Sequence, residues 1–302
     1  MTDISVKIDN LFLKNPIMPA SGCFGYGREF SELYSLSELG AIVVKSISPN
    51  PKKGNETPRI AETPSGMLNA IGLQNPGIEH VDKELSFLKK FNTPVICNVA
   101  ADTFDGYLKV ASALDKRDDV HALEINISCP NVACGGMSFG TDPDLVYNLT
   151  KSIVDICNKP VIMKLTPNVT DIVSIAKAAE EGGANALSLI NTLLGMKIDI
   201  NTGKPLLANK TGGLSGPAIR PVAIRMVYQV YDAVDIPIIG MGGVSSVDDV
   251  IEMAYAGASA VAIGAYQFVD PYICINIIEE LPKRILELGH KSWTDLVGYA
   301  HR

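Results

Sequence analysis

The segment Ala122-Leu123-Glu124-Ile125-Asn126-Ile127-Ser128-Cys129-Pro130-Asn131 decides how this chain is read. Residues 122–127 are mostly apolar and short enough for a buried strand. Pro130, which has no N–H to give to a ladder, marks where that strand must have ended. The strand delivers two carboxamides, Asn126 and Asn131, and the thiol of Cys129 to the region around its C-terminal end. A carboxamide both donates and accepts. A thiol with a free pKa of about 8.5 becomes a base or nucleophile only where its surroundings change it. Taken alone, Cys129 reads as a small buried apolar residue. The flanking asparagines favour a site, because polar groups gathered at a strand end need partners.

Similar runs recur on both sides of this one. Strands are expected at 17–20, 41–45, 94–99, 122–127, 161–165, 186–190, 236–240 and 260–263. Their near-continuous apolar character implies burial on both faces, as in a parallel sheet. Between most of them lie helix-length stretches, among them 143–157, 171–181, 218–233 and 247–256. Asp142 and Pro143 suit an N-cap and a first helical position. Gly182-Gly183 and Gly257 punctuate helix ends. Residues 4–13 alternate around Asp9-Asn10 and read as a small hairpin. Eight strands, most followed by helices, within 302 residues predict an α/β fold of the (β/α)8 TIM-barrel type. A doubly wound sheet is the competing arrangement. It is disfavoured because the glycine-rich segments come late in the chain and not after the first strand. Long insertions follow strand two (46–78) and strand six (191–216), and loops of that length are usually functional. No shift in composition marks a domain boundary.

Bulk properties narrow the function classes. A hydrophobic share of 47% with 20% charged residues and a net charge of −7 describes a globular chain with a substantial core. Basic residues are scattered, so nucleic acid is not an expected partner. No apolar stretch is long enough to span a bilayer, and the start, Met-Thr-Asp-Ile-Ser, lacks the basic and apolar pattern expected of a signal peptide. Six dispersed cysteines without a CxxC fit reduced thiols in a cytoplasm and no metal centre within this chain.

In a barrel of this kind the site lies beyond the C-terminal strand ends. Strand one leads to Ser21, strand two to Lys45-Ser46, and strand three carries Asn98. Strand four supplies Asn126, Cys129 and Asn131, and strand five carries Lys164. Strand six leads to Asn191-Thr192, strand seven to Gly240-Met241-Gly242-Gly243, and strand eight to Gly264-Ala265. Glycine-rich turns after strands seven and eight are a recurring phosphate site; the alternative is that they only satisfy tight turns. Two lysines at the ends of apolar strands call for an anionic or polar partner. Asn69, Asn126, Asn131 and Asn191 suit a ring with alternating N–H and C=O groups, although capping a turn is asparagine's commonest task. No acidic pair stands out at the strand ends, which argues against glycoside chemistry.

The motifs Asn-Ile-Ser-Cys-Pro-Asn (126–131), Asn-Ala-Ile-Gly-Leu-Gln-Asn-Pro-Gly (69–77), Ile-Asn-Thr-Leu-Leu-Gly-Met (190–196) and Gly-Gly-Leu-Ser-Gly-Pro-Ala (212–218) resemble the class 1 dihydroorotate dehydrogenases over essentially the whole chain. Segments 191–196 and 211–218 look most like the class 1B catalytic subunit. The resemblance implies one FMN-binding barrel domain over 1–302 that oxidises dihydroorotate to orotate in pyrimidine synthesis. It implies Cys129 as the base at C5, with hydride passing from C6 to flavin N5. Lys45, Asn69, Ala70, Ile71, Gly72, Leu73, Asn126, Asn131, Asn191 and Thr192 would hold the substrate. Ser21, Lys45, Ser46, Asn98, Asn126, Lys164, Ile190, Gly216, Gly242, Gly243, Gly264 and Ala265 would hold FMN, the last four around its phosphate. Lys164 would stabilise negative charge on the reduced flavin, and Cys134 is incidental. The implied partner is an iron–sulfur flavoprotein subunit carrying FAD and a [2Fe-2S] cluster, which passes electrons to NAD+; two copies of each chain would make a heterotetramer. The alternatives are a class 1A-like homodimer using fumarate, a relative acting on another dihydropyrimidine, a non-redox barrel lyase or isomerase that binds a phosphorylated substrate, or a non-catalytic binding barrel.

Overall fold

The computed structural model describes residues 2–128 and 139–302. Cys129, Asn131 and Cys134 lie outside the described residues. Along the chain come β1 (Val6–Ile8), β2 (Leu11–Leu13), β3 (Ile17–Pro19), β4 (Ile42–Ile47), β5 (Ile60–Thr63), β6 (Gly66–Asn69), β7 (Val95–Val99) and β8 (Ala122–Asn126). Then follow β9 (Val161–Lys164), β10 (Ala186–Leu189), β11 (Leu193–Met196), β12 (Ile198–Asp199), β13 (Lys204–Pro205), β14 (Thr211–Ser215), β15 (Ile238–Met241) and β16 (Ala260–Ile263). The expected hairpin is the pair β1–β2, with Asp9 in the left-handed region at its turn.

Eight parallel strands form one sheet in the order β3-β16-β15-β10-β9-β8-β7-β4. Gly40 N–H donates to Ile17 O at 2.9 Å and ties the β4 side of the sheet to β3. A Cβ at Gly40 would sit 2.1 Å from Asn15 O, so this junction admits only glycine. The result is the expected (β/α)8 barrel. Every residue of β7, β8, β9, β10, β15 and β16 is buried, because barrel interior and helical layer cover both faces. The strand expected at 236–240 starts later, at Ile238, beyond Pro237, which has no N–H for the ladder.

The helical layer is α1 (Asp82–Leu88), α2 (Phe104–Asp115), α3 (Pro143–Val154), α4 (Ile172–Glu181), α5 (Arg220–Tyr231), α6 (Val247–Tyr255) and α7 (Ile273–Glu287). Their starts are written in the sequence. Asp142 accepts from Leu145 N at α3, Thr103 from Gly106 N at α2, Asp171 from Val173 and Ser174 N at α4, and Ser246 from Asp249 N at α6. Each cap satisfies N–H groups with no partner inside the helix and contributes about 1 kcal/mol.

The two long insertions are not independent loops. Strands β5 and β6 come from the first, β11 and β14 from the second, and they join in a four-stranded antiparallel sheet ordered β11-β14-β6-β5. The joining register pairs Gly213 with Asn69 and Ser215 with Met67.

Candidate active site

One cavity of about 850 Å³ opens between the C-terminal ends of the barrel strands and this antiparallel sheet. Its wall contains Ser21, Lys45, Ser46, Asn69 to Leu73, Asn126, Lys164, Ile190, Asn191, Thr192, Gly216, Gly242, Gly243, Gly264 and Ala265. Nearly all the described residues singled out from sequence therefore meet at one place. Asn98 is the exception. It is fully buried behind the wall, where its carboxamide accepts from Ser46 Oγ and donates to Glu124 Oε2.

Local structure aims each group. The β4–β7 register slips between Val44 and Ile47, so Lys45 and Ser46 lie in a bulge. Bulges re-aim side chains next to active sites. Lys45 is held by its own backbone N–H, which donates to Gly25 O at 2.8 Å. Desolvation lowers the Lys45 pKa; a nearby Cys23 opposes this and Arg59 adds to it. Burial pushes the Cys23 thiol up to about 11 against the pull of Lys164 and Lys45, so it is neutral at physiological pH. Lys164, at the end of β9, is almost fully buried; its Nζ donates to Ser21 Oγ at 3.0 Å and lies 3.4 Å from Glu124 Oε2.

The carboxamides form a second group. Asn191 Nδ2 donates to Asn126 Oδ1 at 3.2 Å and to Ser128 Oγ at 2.9 Å. The Asn126 carbonyl accepts from Tyr107 Oη at 2.6 Å, which fixes the end of β8 from the helix side. Asn69 Nδ2 donates to Gly213 O across the antiparallel sheet at 3.4 Å. The loop after Asn69 is held by Asn75, whose Nδ2 donates to Leu73 O at 2.7 Å and whose Oδ1 accepts from Gly77 N at 2.8 Å.

The glycine turns differ from one another. Gly242 and Gly243 have φ of 128° and 77°, in the region glycine favours. A Cβ on Gly243 would stand 2.8 Å from Gly216 O and 2.7 Å from Arg220 Cβ. Gly264 is not strained in this way. A Cβ there would point toward Ala20 and Cys23 at the cavity wall without a clash. Its value is the bare backbone it leaves beside the cavity.

Sequence reasoning passed over several residues of the wall, including Cys23, Lys52, Arg59, Ser128 and Phe268. Arg59 lies in the first insertion, where no strand-end rule reaches it; its Nη2 donates to Gln74 Oε1 at 2.6 Å. Reasoning also passed over Glu124, which sits behind the wall in the middle of a strand that reads as apolar.

Bare backbone, two lysines and a set of carboxamides line one cavity, a chemistry suited to an anionic group and a flat polar ring. Among the described residues no cluster of His, Cys, Asp and Glu could hold a metal. No helix among them is long and apolar enough to cross a membrane.

Comparison with known proteins bears on the same chemistry. The family model described as dihydroorotate dehydrogenase matches residues 3–285. A Listeria monocytogenes protein named dihydroorotate dehydrogenase B (NAD(+)), catalytic subunit, is 59% identical over 297 residues, covering 98% of this chain and 98% of that protein. Proteins of the same name from Malacoplasma penetrans and Anoxybacillus flavithermus are 59% and 56% identical, each over 99% of this chain and over 98% and 96% of their own lengths. The chain belongs to the dihydroorotate dehydrogenase family.

Proposed function

We propose that this chain is the catalytic subunit of an NAD+-dependent dihydroorotate dehydrogenase, oxidising dihydroorotate to orotate in pyrimidine biosynthesis and passing the electrons on through a partner subunit. The observation that carries the reading is the single cavity in which glycine turns, two lysines and the carboxamides of Asn69, Asn126 and Asn191 converge. A lyase or isomerase would explain the glycine turns, but family membership and relatives named for an NAD+-linked dehydrogenase do not favour it. The fumarate-using arrangement is disfavoured on the same ground. We place the protein in the cytoplasm, as one domain over residues 1–302.

FMN is the cofactor that fits the cavity. The turn at Gly242-Gly243 leaves backbone without a Cβ beside a cavity large enough for a flavin mononucleotide and a small ring. Ser21, Lys45, Ser46, Asn126, Lys164, Ile190 and Gly216 would hold the flavin ring and ribityl chain, and Gly242, Gly243, Gly264 and Ala265 the phosphate. Asn98 would act from behind the wall through Ser46. The chemistry FMN supplies when bound is acceptance, at N5, of the hydride from C6 of dihydroorotate. Lys45, Asn69 to Leu73, Asn126, Asn131, Asn191 and Thr192 would hold the substrate. The Lys45 ammonium would meet the substrate carboxylate, and the carboxamides would fix the ring's amide edges. Cys129 is the proposed base that takes the C5 proton, with Asn126 and Asn131 flanking it. The partner we propose is an iron–sulfur flavoprotein subunit with FAD and a [2Fe-2S] cluster, bound to a homodimer of this chain in a heterotetramer.

Anaerobic mixing of the purified protein with dihydroorotate tests the reading. The protein should carry flavin absorption, and that absorption should bleach. A colourless protein that takes up no added FMN would sink the flavin assignment.

A further inference from the structure

Inside the barrel, one layer below the cavity, an acidic residue sits where an apolar side chain is usual. Glu124 lies in the middle of β8, its side chain 3% exposed, and it does not line the cavity. Three donors from three different strands converge on its carboxylate. Asn98 Nδ2 of β7 donates to Oε2 at 2.5 Å, and Ser188 Oγ of β10 donates to Oε1 at 2.8 Å. Lys164 Nζ of β9 stands 3.4 Å from Oε2. Asn98 and Ser188 are both fully buried, and the Lys164 side chain is 4% exposed.

The arrangement has a direction. Asn98 passes the contact on to Ser46, and Lys164 passes it on to Ser21. Ser46, Lys164 and Ser21 all line the cavity. A carboxylate accepts from all three groups at once and supplies the charge; a glutamine side chain could turn its NH2 only toward the Ser188 hydroxyl and would leave the Lys164 ammonium without a counter-charge. A buried ammonium also needs a compensating charge, and Glu124 is the carboxylate in contact with Lys164.

We propose that Glu124 is a positioning residue for the flavin pocket: through Lys164 and Asn98 it sets where the pocket's buried cation and the Ser46 hydroxyl point. It touches neither substrate nor cofactor. The proposal rests on the FMN reading above, and its effect appears in cofactor binding as well as in turnover.

The test is a double-mutant cycle read by FMN binding to apoprotein, with the midpoint potential of the bound flavin as a second readout. The variants are Glu124→Gln, Lys164→Gln and the pair together. Glu124→Gln should raise the FMN dissociation constant at least tenfold and shift the potential. Glu124→Asp, which keeps the charge, should recover part of both. In the Lys164→Gln background the further change Glu124→Gln should weaken FMN binding by clearly less than it does in wild type, because one of the two groups it acts through has gone and only the Asn98 route remains. Ser188→Ala is equally buried and leaves the Glu124–Lys164 contact in place, so it should stay within about threefold of wild type. Equal losses from Glu124→Gln with and without Lys164, or an unchanged affinity and potential in a folded Glu124→Gln protein, would overturn the proposal. If Glu124→Gln does not fold, the same cycle with Glu124→Asp is read by the same criterion. Wild-type apoprotein that takes up no FMN defeats the flavin reading itself, a result distinct from any of these.

Discussion

The proposed base Cys129, the cavity-wall thiol Cys23 and Lys45 carry different expectations. Cys129 is proposed as the base. General-base proton transfer is worth about 10²–10⁴-fold. Cys129→Ala should therefore keep FMN and bind orotate, yet slow flavin reduction by dihydroorotate at least about a hundredfold in anaerobic stopped flow. Cys23 is the control. Burial holds its pKa near 11, so it offers almost no thiolate at neutral pH. Cys23→Ala should leave that step within about threefold, and a loss matching that of Cys129→Ala would mean that the base has been misassigned. Lys45 gives a pH dependence. Burial lowers its pKa from 10.5, whereas a bound carboxylate favours the ammonium. Orotate affinity should fall as pH rises through the lowered value toward 10.5, and Lys45→Met should flatten the profile. The linkage for folding has the opposite sign. In that window the unfolded chain binds more protons, so the lysine's burial penalty fades and apoprotein stability rises with pH. Parallel orotate profiles for wild type and Lys45→Met would contradict the role.

At the scale of elements, the barrel strands were legible because each is a continuous apolar run ended by a turn residue, and a parallel sheet buried on both faces demands that pattern. Helix starts were legible through single residues such as Asp142. The antiparallel sheet was not. The pairing of β14 with β6 joins residues as far apart in sequence as Gly213 and Asn69, and β14, Thr-Gly-Gly-Leu-Ser, has little strand character of its own. Glu124 was hidden for a related reason: one charge among Ala122, Leu123 and Ile125 reads as an exception until its three donors are seen. The sheet carries its own prediction. A Cβ on Gly213 would lie 2.0 Å from Thr192 Oγ1, so Gly213→Ala must displace the turn that carries Asn191 and Thr192. Overpacking of this kind costs about 1–3 kcal/mol. Orotate binding should weaken about tenfold or more, while FMN binding, read by fluorescence titration, stays close to wild type. Unchanged orotate affinity would show that the sheet does not position the substrate. Because both insertions share one sheet, saturating orotate should also slow proteolysis within 46–78 and 191–216 in parallel; protection of one alone would contradict the shared sheet.

For the whole molecule, the question is where electrons go after the substrate has been oxidised. The glycine turns that face the cavity follow strands seven and eight, β15 and β16, and line one cavity, the proposed flavin site. Strand one is followed by Ala-Ser-Gly-Cys-Phe-Gly and not by the glycine fingerprint of a dinucleotide fold. The described residues offer no cluster for an iron–sulfur centre, and the chain as a whole has no CxxC. A nicotinamide needs both a place to bind and a route for electrons, and neither is evident in the described residues. The relatives' shared name, catalytic subunit, implies a second chain, which we propose supplies them. The purified chain should therefore bleach its flavin with dihydroorotate in one turnover and then stall when NAD+ is the only acceptor. An artificial one-electron acceptor should restart it, since the reduced cofactor is then relieved by a small molecule that needs no binding fold. Adding the proposed electron-transfer subunit should restore NADH formation at a rate that saturates with its concentration. Rapid, steady NADH production by the isolated chain would refute the need for a partner and would require a nicotinamide site within the same cavity.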